Sequence, residues 1–231
     1  MVNMDEILAQ IVRQIRHASM VPDDNLIFSW RTALELIEAD VPGAFLECGT
    51  WLGGTSFGLA LAQRHAFGRV IRPIYMLDSF EGLPPATQRD GPAAIEYQRR
   101  TDLPSYYDNC RAPLEKVLQI REGLGLSDGE CPLVPGWFHD TLPLLTSEWE
   151  QSGIAWLRVD CDWYDPVRLV LDVLEPILVE EGLMIFDDYY AWDGCARAVH
   201  DYLSTNDLAY RLREGGSEGW LWFRKRYARV F

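Results

Sequence analysis

Basic charge is scarce in this chain: 21 Lys and Arg stand against 35 Asp and Glu, a formal net charge of −14. Nucleic-acid binding needs a basic surface, so the balance argues against such a partner and against docking on an anionic membrane. No apolar run reaches the length of a membrane span. The opening residues, Met1-Val2-Asn3-Met4-Asp5-Glu6, lack the basic and apolar regions of a signal peptide. The five cysteines, Cys48, Cys110, Cys131, Cys161 and Cys195, are odd in number, scattered, and include no C-x-x-C pair. That speaks against a disulfide framework and against sulfur-ligated zinc, and for reduced thiols. Together these absences predict a soluble cytoplasmic protein. Internal repeats and low-complexity tracts are also missing. So is G-x-G-x-x-G, the dinucleotide fingerprint.

What is present points to one compact unit. With 231 residues, 48% of them hydrophobic and 12% aromatic, the chain can build a large core. A helical period over residues 4–18, with Ile7, Leu8, Ile11, Val12 and Ile15 on one face, and a second helix over 26–39 predict an N-terminal helical cap, residues 1–40. Residues 41–231 then read as a single α/β domain. Its expected strands are 44–48, 70–77, 132–136, 154–159 and 183–186, with helices over 55–64, 93–100, 112–124 and 195–204. Tyr210–Arg213 and Trp220–Arg226 read as a terminal antiparallel hairpin. This order predicts a doubly wound, Rossmann-like sheet with an antiparallel edge. The Pro-, Gly- and Tyr-rich stretch 80–110 is long for a plain connection and reads as a functional loop or lid.

Two acidic clusters carry the chemistry. Asp160-Cys161-Asp162 closes the run Ile154–Val159, and Asp187-Asp188 closes Leu183–Phe186. A helix's length of chain lies between them, so the strands are expected to run parallel with both acidic ends at one edge of the sheet. Ligands of open parallel sheets bind at that edge. Carboxylates gathered there repel one another unless neutralised, and Mg²⁺, which prefers oxygen donors, is the natural candidate. Read singly, Asp187 could be a helix N-cap and Asp162 a surface acid.

Glu47-Cys48-Gly49-Thr50-Trp51-Leu52-Gly53-Gly54-Thr55-Ser56 is a Gly-rich turn between a strand and the start of a helix. Glycine allows close ligand approach, and a helix N-terminus offers free N–H groups to an anionic group. A purely structural turn is the competing reading. Asp78, at the end of the next strand, stands where an acid accepts hydrogen bonds from both hydroxyls of a ribose. Turn and acid together suggest an adenosine ligand with a carboxylate or similar tail. His139 and His200 are the histidines nearest the acidic clusters. Trp163, Tyr164, Tyr189 and Tyr190 flank the acids and offer rings on which a ligand could stack.

The segments Leu157-Arg158-Val159-Asp160-Cys161-Asp162-Trp163-Tyr164-Asp165, Phe186-Asp187-Asp188-Tyr189 and Gly194-Cys195-Ala196-Arg197-Ala198-Val199-His200 resemble the macrocin O-methyltransferase family. Glu47 to Gly54, Asp78 to Pro84 and Gly136 to Pro143 agree with it in the same order, over about residues 44–202. The resemblance implies a class I methyltransferase fold using S-adenosylmethionine and Mg²⁺. It implies Asp160, Asp187 and Asp188 as metal ligands and Asp162 as general base. Glu47, Gly49, Thr50, Trp51, Gly53, Thr55, Ser56, Asp78, Ser79, Phe138, Asp140 and Asp160 fall at its cofactor positions. The implied acceptor is a hydroxylated small molecule, a sugar or glycosylated natural product, and the implied assembly a homodimer. A catechol-like diol acceptor, a non-catalytic S-adenosylmethionine sensor and a metal-dependent hydrolase are the alternatives. Cys161 stands where the family usually has Gly, and Asp165-Pro166-Val167 replaces a more polar run.

Overall fold

A computed structural model describes residues 3–216 and 220–226. The rest, at the ends of the expected cap and domain and in the hairpin turn, lie outside the described residues. In chain order the elements are α1 (Met4–Ile15), α2 (Asp23–Glu38), β1 (Ala44–Cys48), α3 (Gly54–Phe67), β2 (Ile74–Asp78), α4 (Gly91–Arg99), α5 (Tyr107–Cys110), α6 (Leu114–Gly123), β3 (Leu133–Pro135), α7 (Phe138–Trp149), β4 (Ile154–Val159), α8 (Tyr164–Leu174), β5 (Leu178–Phe186), α9 (Asp193–Thr205), β6 (Arg213–Gly215) and β7 (Trp220–Arg224). The seven strands form one sheet of order β3-β2-β1-β4-β5-β7-β6. β1 to β5 are parallel, and β7 runs antiparallel to both β5 and β6. The expected parallel sheet with a terminal antiparallel hairpin is what forms.

Successive side chains of a strand face opposite sides of a sheet, and the core divides accordingly. Phe45, Trp156 and Ile185 join one apolar cluster with α1, α2 and α3. Leu46, Leu157, Met184 and Phe186 join another with α7, α8 and α9. The N-terminal helices are thus built into the core of the domain. Leu8, Ile11, Val12 and Ile15 of α1 are buried, and Trp30 of α2 donates its indole N–H to the Thr55 carbonyl at 2.8 Å. A Cβ at Gly58 would lie 2.0 Å from the Trp30 ring, so glycine is what lets α2 approach α3.

Several local expectations differ: β5 begins at Leu178 instead of residue 183, and β6 spans Arg213–Gly215 instead of Tyr210–Arg213. β2 begins at Ile74, four residues later than the apolar pattern predicts, directly after Pro73, which has no N–H for a ladder. Residues 138–149 form a helix that is not among those expected. Pro143 stands inside it, while Leu142 and Trp149 bury one face. Tertiary burial outweighs the local proline signal.

The long 80–110 stretch is tied down over its first part. The Asp90 carboxylate accepts from Tyr164 N at 2.6 Å and from Thr87 N at 2.7 Å, and Trp163 Nε1 donates to the Pro84 carbonyl at 2.9 Å. The second part contains α5, a turn whose four residues all have positive φ, from 47° to 58°. Left-handed backbone costs roughly 1–2 kcal/mol per L-residue. Asn109 offsets part of that cost: its side chain donates to the Leu83 carbonyl at 2.8 Å and accepts from Gln98 at 3.0 Å.

Candidate active site

Backbone ladders run one residue past the strands and bring the chemistry together. Gly49 N donates to the Leu77 carbonyl at 2.8 Å, Asp160 N to the Cys48 carbonyl at 2.8 Å, and Asp187 N to the Val159 carbonyl at 3.1 Å. Gly49 has φ 86°, and a Cβ there would fall 1.6 Å from the Asp160 carbonyl oxygen. Only glycine lets the cofactor-side turn and the acidic turn meet this closely.

Beyond these ends opens a cleft of about 770 Å³, the size of a small-molecule site. Gly49, Thr50, Trp51, Thr55, Asp78 and Ser79 line it together with Phe138 and with Asp160, Asp162, Asp187 and Asp188. No side chain caps α3, whose N-cap is Gly53, so its first N–H groups are left free. Asp78 holds the turn itself: Oδ2 accepts from Thr50 N at 2.7 Å and Trp51 N at 2.9 Å, and Oδ1 from Phe80 N at 2.7 Å. Burial pushes its pKa up against these three donors. Three of the roughly four acceptor sites of its carboxylate are thereby occupied by the backbone.

Four of the expected cofactor positions are not on the wall. Glu47 and Ser56 are fully buried behind the turn and hydrogen-bond to each other, because Glu47 points to the α3 face of β1. Gly53 sits against Phe57 and Met76, which a Cβ would overlap. Asp140 lies on the exposed side of α7, 3.3 Å from His139, turned away from Phe138 by the helix. His139 itself reaches the cleft, whereas His200 is hydrogen-bonded to the Tyr189 hydroxyl at 2.7 Å. Cys161 belongs to the α8 face, where its thiol donates to the Cys48 carbonyl at 3.2 Å.

Asp160, Asp187 and Asp188 each present a carboxylate oxygen within 4.8 Å of the others. Asp187 Oδ1 is buried and ion-paired with Arg158 Nη2 at 3.0 Å. An all-oxygen donor set of three converging carboxylates fits a hard divalent cation. Asp162 stands beside them with φ 56°, its N–H donating to Asp188 Oδ2 at 2.9 Å. Trp192 Nε1 donates to Asp162 Oδ1 at 2.9 Å. Burial raises the pKa of all three neighbours of Asp160. Asp187 is pushed to about 7, chiefly by burial and against the lowering influence of Arg158. Asp162 and Asp188 also rise well above the usual carboxylate range, by burial first and mutual repulsion second.

Arg158 is the residue that sequence reasoning missed, having passed as one member of an apolar run. It is fully buried, with Nη1 at 2.6 Å from both Glu47 Oε1 and Asp160 Oδ2, and Nη2 at 3.0 Å from Asp187 Oδ1. One guanidinium therefore neutralises part of the acidic cluster from below. A charged residue inside a buried parallel strand was itself the signal, since buried charges are paired. Tyr97 and Trp192, which line the cleft with Trp163 buried against them, were also only partly legible. The three rings meet edge to face, 5.1 to 6.3 Å apart, and Trp192 holds Asp162.

Burial raises Glu47 from 4.5 to about 7, outweighing Arg158 and Ser56. Between those two values the folded chain holds a proton that the unfolded chain has released. Stability from this group therefore falls as pH rises through that window, by about 3 kcal/mol at about 1.36 kcal/mol per pH unit. Urea midpoints from pH 5 to pH 8 are expected to fall less steeply in Glu47→Gln than in the wild type. Identical slopes would contradict the assignment.

The strand order, the Gly-rich turn after β1 and the acids at the carboxyl edge define a class I methyltransferase, and that fold implies S-adenosylmethionine as methyl donor. The family described as macrocin-O-methyltransferase (TylF) matches residues 17–225, and the chain belongs to it; it is an O-methyltransferase. It is 35% identical over 200 residues to the 8-demethyl-8-(2,3-dimethoxy-α-L-rhamnosyl)-tetracenomycin-C 4′-O-methyltransferase of Streptomyces olivaceus, covering 86% of this chain and 71% of that protein. The O-methyltransferase NovP has the same fold, with a TM-score of 0.80 at 23% identity over 97% of this chain and 100% of its own. Apo CalS11, a TDP-rhamnose 3′-O-methyltransferase of calicheamicin biosynthesis, aligns with a TM-score of 0.53 at 21% identity, over 95% and 93% of the two chains. Among the described residues no helix is long and apolar enough to cross a membrane.

Proposed function

We propose that this enzyme methylates a hydroxyl of a sugar already attached to a natural product, with Mg²⁺ held by Asp160, Asp187 and Asp188. The observation carrying this reading is the convergence of those three carboxylates beside Asp162 at the edge of the cofactor cleft. When bound, Mg²⁺ supplies Lewis-acid stabilisation of charge developing on an acceptor oxygen, and S-adenosylmethionine supplies an activated methyl group. Asp162 takes the hydroxyl proton. Trp192 fixes one of its oxygens, and the other, Oδ2, is left without a hydrogen-bond partner among the described residues. A carboxylate whose pKa is raised by burial is a stronger base than one in water. Thr50 Oγ1, buried without a partner among the described residues, and the uncapped N–H groups at the start of α3 are suited to the polar end of the cofactor. Asp78 fixes the turn and keeps residual acceptor capacity for one ribose hydroxyl.

The lining charges favour a glycoside over a nucleotide-activated sugar. Glu81 and Asp165 add to the aspartates already described, and no Lys or Arg lines the cleft among the described residues. The arginines bonded to lining residues are engaged. Arg16 holds Asp23 and the carbonyls of Ser19 and Val21, Arg89 holds Asp165, and Arg158 holds Asp160. A diphosphate would meet like charge with no Lys or Arg among the described lining residues to pair it, at a cost of several kcal/mol. Met20, Val21, Pro22, Leu83 and Pro84 give the rim an apolar side suited to an aglycone. Methyl transfer to a rhamnosyl glycoside and to TDP-rhamnose, each with and without EDTA, tests both points. The glycoside is expected to be favoured by at least about 100-fold in kcat/KM, with activity lost in EDTA. A preference for TDP-rhamnose contradicts the acceptor class, and full activity in EDTA contradicts the metal.

A further inference from the structure

We infer that Arg158 is a positioning residue that decides which oxygens of Asp160 and Asp187 face the metal, an inference that rests on the metal-dependent reading above. β1 and β4 are in register so that Glu47 and Arg158 are direct neighbours, and both point to the α3 face. There the guanidinium is enclosed. The Trp220 ring lies 4.9 Å from its carbon, and Glu47 holds Nη1 at 2.6 Å. Ser56, in the first turn of α3, donates to the other oxygen of Glu47. The arginine is therefore fixed from β1, from α3 and from β7 before it meets any aspartate.

From that fixed place it meets both aspartates from below. Nη1 donates to Asp160 Oδ2 at 2.6 Å, and Nη2 lies 3.0 Å from Asp187 Oδ1, the buried oxygen. The guanidinium thus engages one oxygen of each carboxylate and leaves the other unengaged by it. The second oxygen of each acid would then be available to hold a cation. Two nitrogens of a planar fork are needed to hold two carboxylates at once, and a lysine ammonium is a single point of charge. Outer partners that orient metal ligands typically govern affinity by 10- to 100-fold.

Mn²⁺ serves as the probe, because its free and bound forms differ in electron paramagnetic resonance. The wild type, Arg158→Lys and Arg158→Gln are titrated with Mn²⁺, and each is titrated separately with S-adenosylmethionine. Expected for both variants is Mn²⁺ binding weakened about 10- to 100-fold, with S-adenosylmethionine affinity within about 3-fold of the wild type. Wild-type Mn²⁺ affinity in both variants overturns the inference. So does a parallel loss of Mn²⁺ and cofactor affinity, which marks a general structural role. A wild type with no Mn²⁺ site overturns the metal-dependent reading and this inference with it, whereas a tight wild-type site unchanged in the variants overturns the inference alone.

Discussion

Asp162→Asn is expected to lower kcat by about 10²- to 10⁴-fold while binding S-adenosylmethionine and Mg²⁺ as the wild type does. The substitution is close to isosteric and removes little besides the base. The asparagine carbonyl can still accept from Trp192 Nε1, which holds Asp162 Oδ1 at 2.9 Å. The hydrogen bond to Asp188 comes from the backbone N–H and is unaffected. Asparagine also tolerates the left-handed backbone at φ 56° better than most residues. What disappears is a carboxylate whose affinity for a proton is raised by burial first and by Asp160 and Asp187 second. Single-turnover rates at saturating cofactor separate chemistry from binding. A rate within tenfold of the wild type would remove Asp162 from the role of base and turn attention to His139, the histidine that lines the cleft.

The sequence made the topology legible because its punctuation is strong. Gly49, Asp78, Asp160 and Asp187 each stand where a strand gives way to a turn, and parallel pairing brings those ends to one edge. Residue-level roles were less legible, and the reason is geometric. Glu47 and Gly49 are two positions apart in a turn that reads as one motif. Yet strand alternation sends Glu47 into the core, while the φ of 86° at Gly49 brings the backbone to the cleft. Asp140 is a similar case: it lies two residues along α7 from Phe138, where the helix turns it to solvent. Asp78 has the right position for a ribose acid, but the backbone N–H groups that claim its oxygens come from a turn 27 and 28 residues earlier. No periodicity encodes such a contact. Arg158 was visible as a letter and invisible as a partner, because its three acids come from β1 and from beyond the ends of β4 and β5.

The repulsion argument for a metal also changes with Arg158 in place. The cluster is not bare; a guanidinium already offsets part of its charge. Asp162 and Asp188 are not among its partners, and Asp187 is still pushed to about 7. Binding a divalent cation releases protons from such groups, so affinity is expected to rise with pH through that region.

Asp187→Ala is expected to abolish specific Mg²⁺ binding and, with it, methyl transfer. Asp187 supplies one of three converging ligands, and its loss removes a donor oxygen and a negative charge from a site for a cation that gives up its waters reluctantly. The fold is expected to survive, because Arg158 keeps Glu47 and Asp160 as partners. Cofactor binding is expected to survive as well, because the Gly-rich turn and Asp78 are untouched. The most direct measurement is calorimetric titration of wild type and Asp187→Ala with Mg²⁺ at pH 8, where Asp187 has given up its proton, in the presence of S-adenosylmethionine. One Mg²⁺ per wild-type chain and none in the variant, with cofactor binding equal in both, is the expected result. A wild type that binds no Mg²⁺, or a variant that binds it as tightly as the wild type, would contradict the metal-dependent mechanism.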